Sequence, residues 1–231
     1  LCGILTGAGL GLVFGGLAIR RQGIYFAMIT LALAQMMYFF ALQAPFTHGE
    51  DGIQAIPRGK LFGLIDLSDH LAMYYVVLAV FVFGLAVIYR AVHSPFGQVL
   101  KAIGENEARA VSLGYDVDRH KLLAFVLSAG LAGLAGGTKA VVRQLASLTG
   151  VHWHGSGEVV LMTLLGGVGT IFGPVVGAFM LITVQTYLAE VGAWVTVIQG
   201  VIFVVCVMAF RRGIVGEAAA WLERRRRQAA K

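Results

Sequence analysis

Three uncharged runs decide the solvent in which this chain folds. Residues 1–19, 24–44 and 71–89 carry no Asp, Glu, Lys or Arg, and each approaches the ~20 apolar residues a helix needs to cross ~30 Å of hydrocarbon. A core helix of a water-soluble domain keeps one polar stripe; these keep none. Across all 231 residues 58% are hydrophobic and only 13% charged, with a mean hydropathy of +0.80. That composition belongs to a polytopic membrane protein rather than a soluble domain with one anchor. Helices satisfy their own backbone groups in lipid, whereas a β-barrel requires short alternating segments that are not visible here. The expected fold class is therefore an all-α, polytopic transmembrane helix bundle.

Charge placement gives an expected orientation. With the Arg20–Arg21 turn inside, the loop 45–70 lies outside, the polar segment 94–121 inside, and Arg143 outside. Returning Arg211, Arg212 and the run from Arg224 to Arg227 to the inside takes three further crossings. Only residues 193–210 form an unbroken span of ordinary length, so the other two must come from the 32 residues 157–188. The sequence predicts a short helix over 157–167, a glycine-rich turn, and a second helix over 174–188: a broken or re-entrant pair. On this arrangement 14 of the 18 Lys and Arg lie inside. Residues 1–216 then form the transmembrane domain and 217–231 a basic cytoplasmic tail, a topology anchor beside anionic lipid rather than a nucleic-acid binder. The first residue is Leu, no charged leader precedes the first span, and one or more preceding helices are expected in a longer protein.

Glycine spacing adds packing information. Gly3, Gly7, Gly11 and Gly15 recur every four residues and share one helix face. Ala129, Gly133 and Gly137 repeat the pattern, and both stripes suit close backbone approach between helices. In GGVGTIFGP, Gly166 to Pro174, five of nine residues are Gly or Pro. This stretch admits two readings: an interrupted helix beside a transport path, where irregular backbone is tolerated, or a tight turn at the inner surface.

Catalytic motifs are missing. No phosphate-binding G-x-x-x-x-G-K-[ST] occurs; Gly133 to Lys139 has glycines and a lysine in the wrong order. Residues 49–52 supply two carboxylates without calcium-loop spacing and read as an external turn. His152 and His154 flank Trp153 with no third ligand, an interfacial aromatic cluster rather than a metal site. Cys2 and Cys206 sit in different helices and read as plain thiols. Among polar residues within spans, Gln35 and Tyr38 share a face of the second helix and are candidates to line a pathway, with interhelical hydrogen bonding as the alternative for them and for Gln185 and Gln199. Lys139 and Arg143, four apart at a helix end, read as snorkelling anchors.

The polar segment is the most partner-like feature. Pro95 and Gly97 end the preceding span, and residues 99–113 read as one amphipathic surface helix with Leu100, Ile103, Ala110 and Leu113 as its apolar stripe and Lys101, Glu105 and Arg109 spaced i, i+4. Gly114 stops it and residues 115–121 lead back into the membrane.

At these residues the chain resembles a known family. SPFGQVLKAIGENEARAVSLGYDVDRHKLLAFVLSA and SGEVVLMTLLGGVGTIFGPVVGA, with RRQGIYFAMITLALAQMMYFF and HGEDGI upstream, look like the permease subunit of branched-chain amino-acid ABC importers. The resemblance implies a multi-pass subunit of a bacterial or archaeal cytoplasmic membrane with its C-terminus inside, working by alternating access. It implies a second homologous permease, two ATP-binding subunits and an extracytoplasmic solute-binding protein as partners, with ATP and magnesium bound by the ATPase subunits and no cofactor in this chain. Ala102, Glu105, Asn106, Glu107, Ala108, Arg109 and Gly114 would occupy the cytoplasmic coupling helix; Gln35, Tyr38, Gly166, Gly167, Gly169, Thr170, Gly173 and Pro174 are the pathway candidates. Urea or short-chain amides are the alternative cargo within the family, and a solute channel is the rival outside it.

Overall fold

A computed structural model describes residues 2–188, apart from Gln22, His48, Glu50, Asp51, Ala55, 57–59, 62–64, 67 and 68, and seven scattered positions beyond 188. Most of the expected span 193–210, with Glu190, Gln199, Cys206, the arginine clusters and the tail, lies outside the described residues. The chain divides into two compact units, 1–152 and 153–231.

The first unit is built on four long helices. They are α1 (Cys2–Ala18), α2 (Ile24–Gln43), α3 (His70–Val92) and α6 (Val117–Arg143). α2, α3 and α6 are each long and apolar enough to cross a membrane; the uncharged runs 24–44 and 71–89 give α2 and α3, the run 1–19 gives the shorter 17-residue α1, and α6 lies outside the three runs. Their apolar residues point outward: α2 buries no residue and α3 only Met73, while Tyr25, Met28, Phe39, Phe40, Tyr74 and Tyr75 are all more than half exposed. Such a surface is stable only against lipid or another apolar protein face.

The two glycine stripes meet each other. α1 and α6 run antiparallel, with Gly3 against Gly133, Gly7 against Ala129 and Gly133, and Gly15 against Phe125 and Leu122. A Cβ on Gly3 would stand 2.6 Å from the Gly133 carbonyl oxygen, and one on Gly7 would stand 2.6 Å from that of Ala129. Each sequence stripe is thus the groove that receives the other helix's backbone, because only hydrogen side chains allow axes this close. Phe26 on α2 completes the junction with an edge-to-face contact to Phe125 at 6.2 Å.

The ends of α6 carry two different structures. At its C-terminal end, β4 (Leu145–Ala146) pairs antiparallel with β1 (Ile53–Gln54), Ile53 opposite Ala146; a second two-stranded ladder joins β2 (Lys60–Leu61) to β3 (Ile65–Asp66). Gly52, at φ 67°, passes against the Ala146 carbonyl, a conformation and a proximity that suit glycine. The loop between α2 and α3 therefore lies at the same end as Arg143, as alternating crossings require. At the other end, some 40 Å away along a 27-residue helix, are α4 (Pro95–Glu105), α5 (Glu107–Ser112) and the α1–α2 turn.

Residues 94–121 depart from the single helix expected over 99–113. Pro95 begins α4 instead of only closing α3: Ser94 is the N-cap, accepting from the Gly97 amide at 3.4 Å, and proline at the first helical position costs no hydrogen bond. Asn106 then breaks the helix. Its backbone is extended at φ −158°, ψ 101° and its side chain accepts from the Arg109 amide at 3.0 Å, capping α5. Lys101 and Glu105 thus lie on α4 and Arg109 on α5, and the i, i+4 ladder stops at the corner. Gly114 ends α5 at φ 85°, and Asp116 caps α6 through the Arg119 amide.

The second unit contains an antiparallel hairpin of α7 (Trp153–Gly166) and α8 (Gly173–Leu188), close to the expected 157–167 and 174–188. At ~1.5 Å per residue both fall short of ~30 Å. Their contact is again backbone on backbone: a Cβ on Gly177 would strike the Met162 carbonyl, and one on Gly166 the Gly173 carbonyl.

Candidate functional site

The α4–α5 corner is a small folded body seated on the start of α6. Ile103, Ala110 and Val117, exposed 6%, 2% and 5%, form its core with Val99 packed against them. One residue from each of α4, α5 and α6 therefore locks the three together. The Lys121 ammonium donates to Glu107 Oε1 at 2.7 Å, an ion pair with about 30% of each side chain exposed. Phe96 stacks on His120 at 5.9 Å with Tyr115 edge-on to the same ring. Gly97 lets α4 turn tightly off α3, because its Cβ would overlap the Val92 carbonyl.

The residues expected to meet a partner separate into two groups here. Ala102, Glu105, Asn106, Ala108, Arg109 and Gly114 are exposed, and with Val111 (58% exposed), Leu113 (69%) and Tyr115 (45%) they form an outward surface of mixed charge and apolar character. Glu107 faces the other way, holding α5 to α6. The sequence reading missed that pairing because Glu107 and Lys121 are 14 residues apart and in different helices. The caps do follow N-cap spacing, with Ser94 before Pro95, Asn106 three before Arg109 and Asp116 three before Arg119, a signal that reading 99–113 as one helix passed over.

Beside the corner is a hollow of about 490 Å³ lined by Ile19, Arg21, Gly23 and Phe26 from the α1–α2 turn, Leu100 and Glu107 from the corner, and Lys121, Ala124 and Phe125 from α6. Its walls are mostly carbon, with Arg21 and the Glu107–Lys121 pair as the charged groups.

The pathway candidates fall in both units. On α2, Gln35 and Tyr38 are half-buried, and the Tyr38 ring stands edge-on to His152 at 5.2 Å. In the second unit, Gly166, Gly167, Gly169, Thr170, Gly173 and Pro174 form the α7–α8 turn. This stretch is a tight turn between α7 and α8. Gly167 and Gly169 adopt φ 117° and 96°, accessible at low cost only without a Cβ. The Thr170 hydroxyl donates to the Gly167 carbonyl at 3.0 Å, and the Gly167 amide to Thr163 at 3.0 Å. At the open end, Gln185 Nε2 on α8 donates to Glu158 Oε1 on α7 at 3.4 Å, the interhelical hydrogen bonding given as the alternative for Gln185. Trp153 meets His154 edge-on at 5.3 Å. No group of three metal-ligating side chains occurs among the described residues.

Comparison with known proteins agrees with this architecture. A family described as branched-chain amino acid transport system / permease component matches residues 1–207. The high-affinity branched-chain amino acid transport system permease proteins LivM of Salmonella typhimurium and Escherichia coli are each 28% identical over 233 aligned residues, covering 91% of this chain and 55% of theirs. The autoinducer 2 import system permease protein LsrC of Klebsiella pneumoniae is 31% identical, covering 83% of this chain and 55% of its own. The chain spans about half the length of the curated relatives it matches. No solved structure matches. With apolar crossings, a capped polar corner, a glycine hairpin and a family match over residues 1–207, this chain belongs to the branched-chain amino acid transport system permease components.

Proposed function

We propose that this chain is a membrane-spanning subunit of an ATP-driven importer in a bacterial or archaeal cytoplasmic membrane, passing branched-chain amino acids by alternating access. It would work with a second permease, two ATP-binding subunits and an extracytoplasmic binding protein. The observation that carries the reading is the α4–α5 corner: its outer surface is free for a partner, while Ile103, Ala110, Val117 and the Glu107–Lys121 pair fasten its inner surface to α6. A partner that grips Ala102, Glu105, Asn106, Ala108, Arg109 and Gly114 would move α6 as a rigid lever, and α1 with it through the glycine contact. Differential binding of the corner in two bundle arrangements is what lets ATP hydrolysis elsewhere drive the switch. Glu107 serves in this scheme as the internal brace, and Gln35, Tyr38 and the α7–α8 turn as lining of the path.

Branched-chain amino acids are favoured as cargo by the LivM relatives, which align over the largest share of this chain among the comparisons described. Uptake by the complete transporter in cells lacking their own systems tests this. Labelled leucine should accumulate in an ATP-dependent, binding-protein-dependent manner. Accumulation of xylose, an autoinducer or a short amide with no leucine uptake overturns the cargo, and leucine entry without the ATPase subunits overturns the importer in favour of a channel.

A further inference from the structure

Glu158 is the only acidic residue between Asp118 and Leu188, and within the α7–α8 hairpin, 153–188, no Asp, Lys or Arg accompanies it. It lies five residues into α7, about 7 Å below Trp153 along the helix axis, and is half-buried. Among the described residues a single donor reaches it, Gln185 Nε2 at 3.4 Å. An ionised carboxylate accepts about four hydrogen bonds, of which the described residues supply this one amide contact. An acidic side chain in an apolar hairpin is costly unless something cationic meets it. The neighbouring helix surface is open: a Cβ on either Gly155 or Gly157 would meet nothing within 4 Å.

We propose that Glu158, oriented by Gln185, is a substrate subsite that receives the ammonium group of an amino acid during passage. This rests on the reading of the chain as an amino-acid permease. The neutral amide holds the carboxylate without neutralising it, so the charge is kept for a cation that arrives and leaves. A weak, partly solvated contact of this kind suits transport, where binding must be reversible. Selectivity follows: a solute without a cationic head would leave Glu158 unpaired at its own expense.

Charge and hydrogen bonding are separable at this position. In the complete transporter, Glu158→Gln keeps an acceptor for Gln185 and removes the charge, whereas Glu158→Asp keeps the charge on a shorter arm. Leucine uptake by Glu158→Gln is expected to fall at least about tenfold, as loss of one partner of a charge pair does, while Glu158→Asp retains more activity than Glu158→Gln and binding-protein-stimulated ATP hydrolysis stays within about twofold of wild type in both. Gln185→Leu, which releases the carboxylate without removing its charge, should reduce uptake less than Glu158→Gln. If Glu158→Gln transports leucine as wild type does, or if Glu158→Asp is the more damaged of the two, the carboxylate is a structural hydrogen-bonding group and the proposal fails. If the wild-type transporter itself carries no amino acid, the functional reading fails first and is recognised by that result alone.

Discussion

Gly133→Leu is expected to separate α1 from α6 and to lower the amount of folded protein in membranes by at least about tenfold, since overpacking a close contact costs about 1–3 kcal/mol even where side chains yield. Here nothing yields. A Cβ at residue 133 lands on the Gly3 carbonyl, and the Gly7 Cα is 3.2 Å away on the same side. Both obstacles are backbone, so relief requires moving a whole helix. Gly136 supplies the control on the same helix: a Cβ there meets nothing within 4 Å, so Gly136→Leu should accumulate close to wild type. Detergent-solubilised protein, quantified by size-exclusion chromatography, reads the difference. Equal yields from the two variants would show that the α1–α6 contact does not hold the bundle together.

Lys121→Glu should impair transport strongly with little loss of protein. It replaces the 2.7 Å ion pair with two carboxylates at the hinge between α5 and α6. An exposed pair contributes roughly 0–1 kcal/mol and breaking a buried one costs about 3–5 kcal/mol; with about 30% of each side chain exposed, this pair lies between. The corner should loosen from α6 while the bundle remains intact, so uptake should drop by about tenfold or more as the lever loses rigidity, each ~1.4 kcal/mol accounting for one decade. The exchanged double variant, Glu107→Lys with Lys121→Glu, should recover most of it. Failure of the exchange to recover transport, with normal protein levels, would mean that Glu107 acts through a partner and not through Lys121.

The long-range features of this chain were legible where a single physical constraint dominates. Uncharged runs of membrane length gave α1, α2 and α3 to within three residues at each end, because hydrocarbon tolerates little else. Gly3, Gly7 and Gly11 announced a helix face, and Gly133 a second one, although spacing alone did not say that the two meet. The α7–α8 hairpin followed from parity and from a stretch too rich in glycine to continue as helix. Sequence reading ran out where one residue overrides a pattern. Asn106 sits inside an amphipathic period that continues across it, yet its capping of Arg109 splits the helix. Ser94 turns Pro95 from a terminator into a starter. The two-residue strands at 53–54 and 145–146 carry no period at all, and their pairing depends on crossings that bring the two loops together. Glu107 stands among the expected coupling residues, and only the fold brings Lys121 beside it; Glu158 carries no motif, and only the α7–α8 pairing brings Gln185 to it.

The first unit has two distinct ends. The α4–α5 corner and the α1–α2 turn lie at one, the β1–β4 ladder and Arg143 at the other, and the proposed function puts the corner on the cytosolic side. Replacing Cys2 and Cys206 with serine and introducing either Ala108→Cys or Ile53→Cys, both at exposed positions, allows labelling with a membrane-impermeant maleimide. Intact cells should label residue 53 and spare residue 108, and inverted vesicles should do the reverse. Labelling of residue 108 from outside intact cells would contradict the arrangement and the importer built on it.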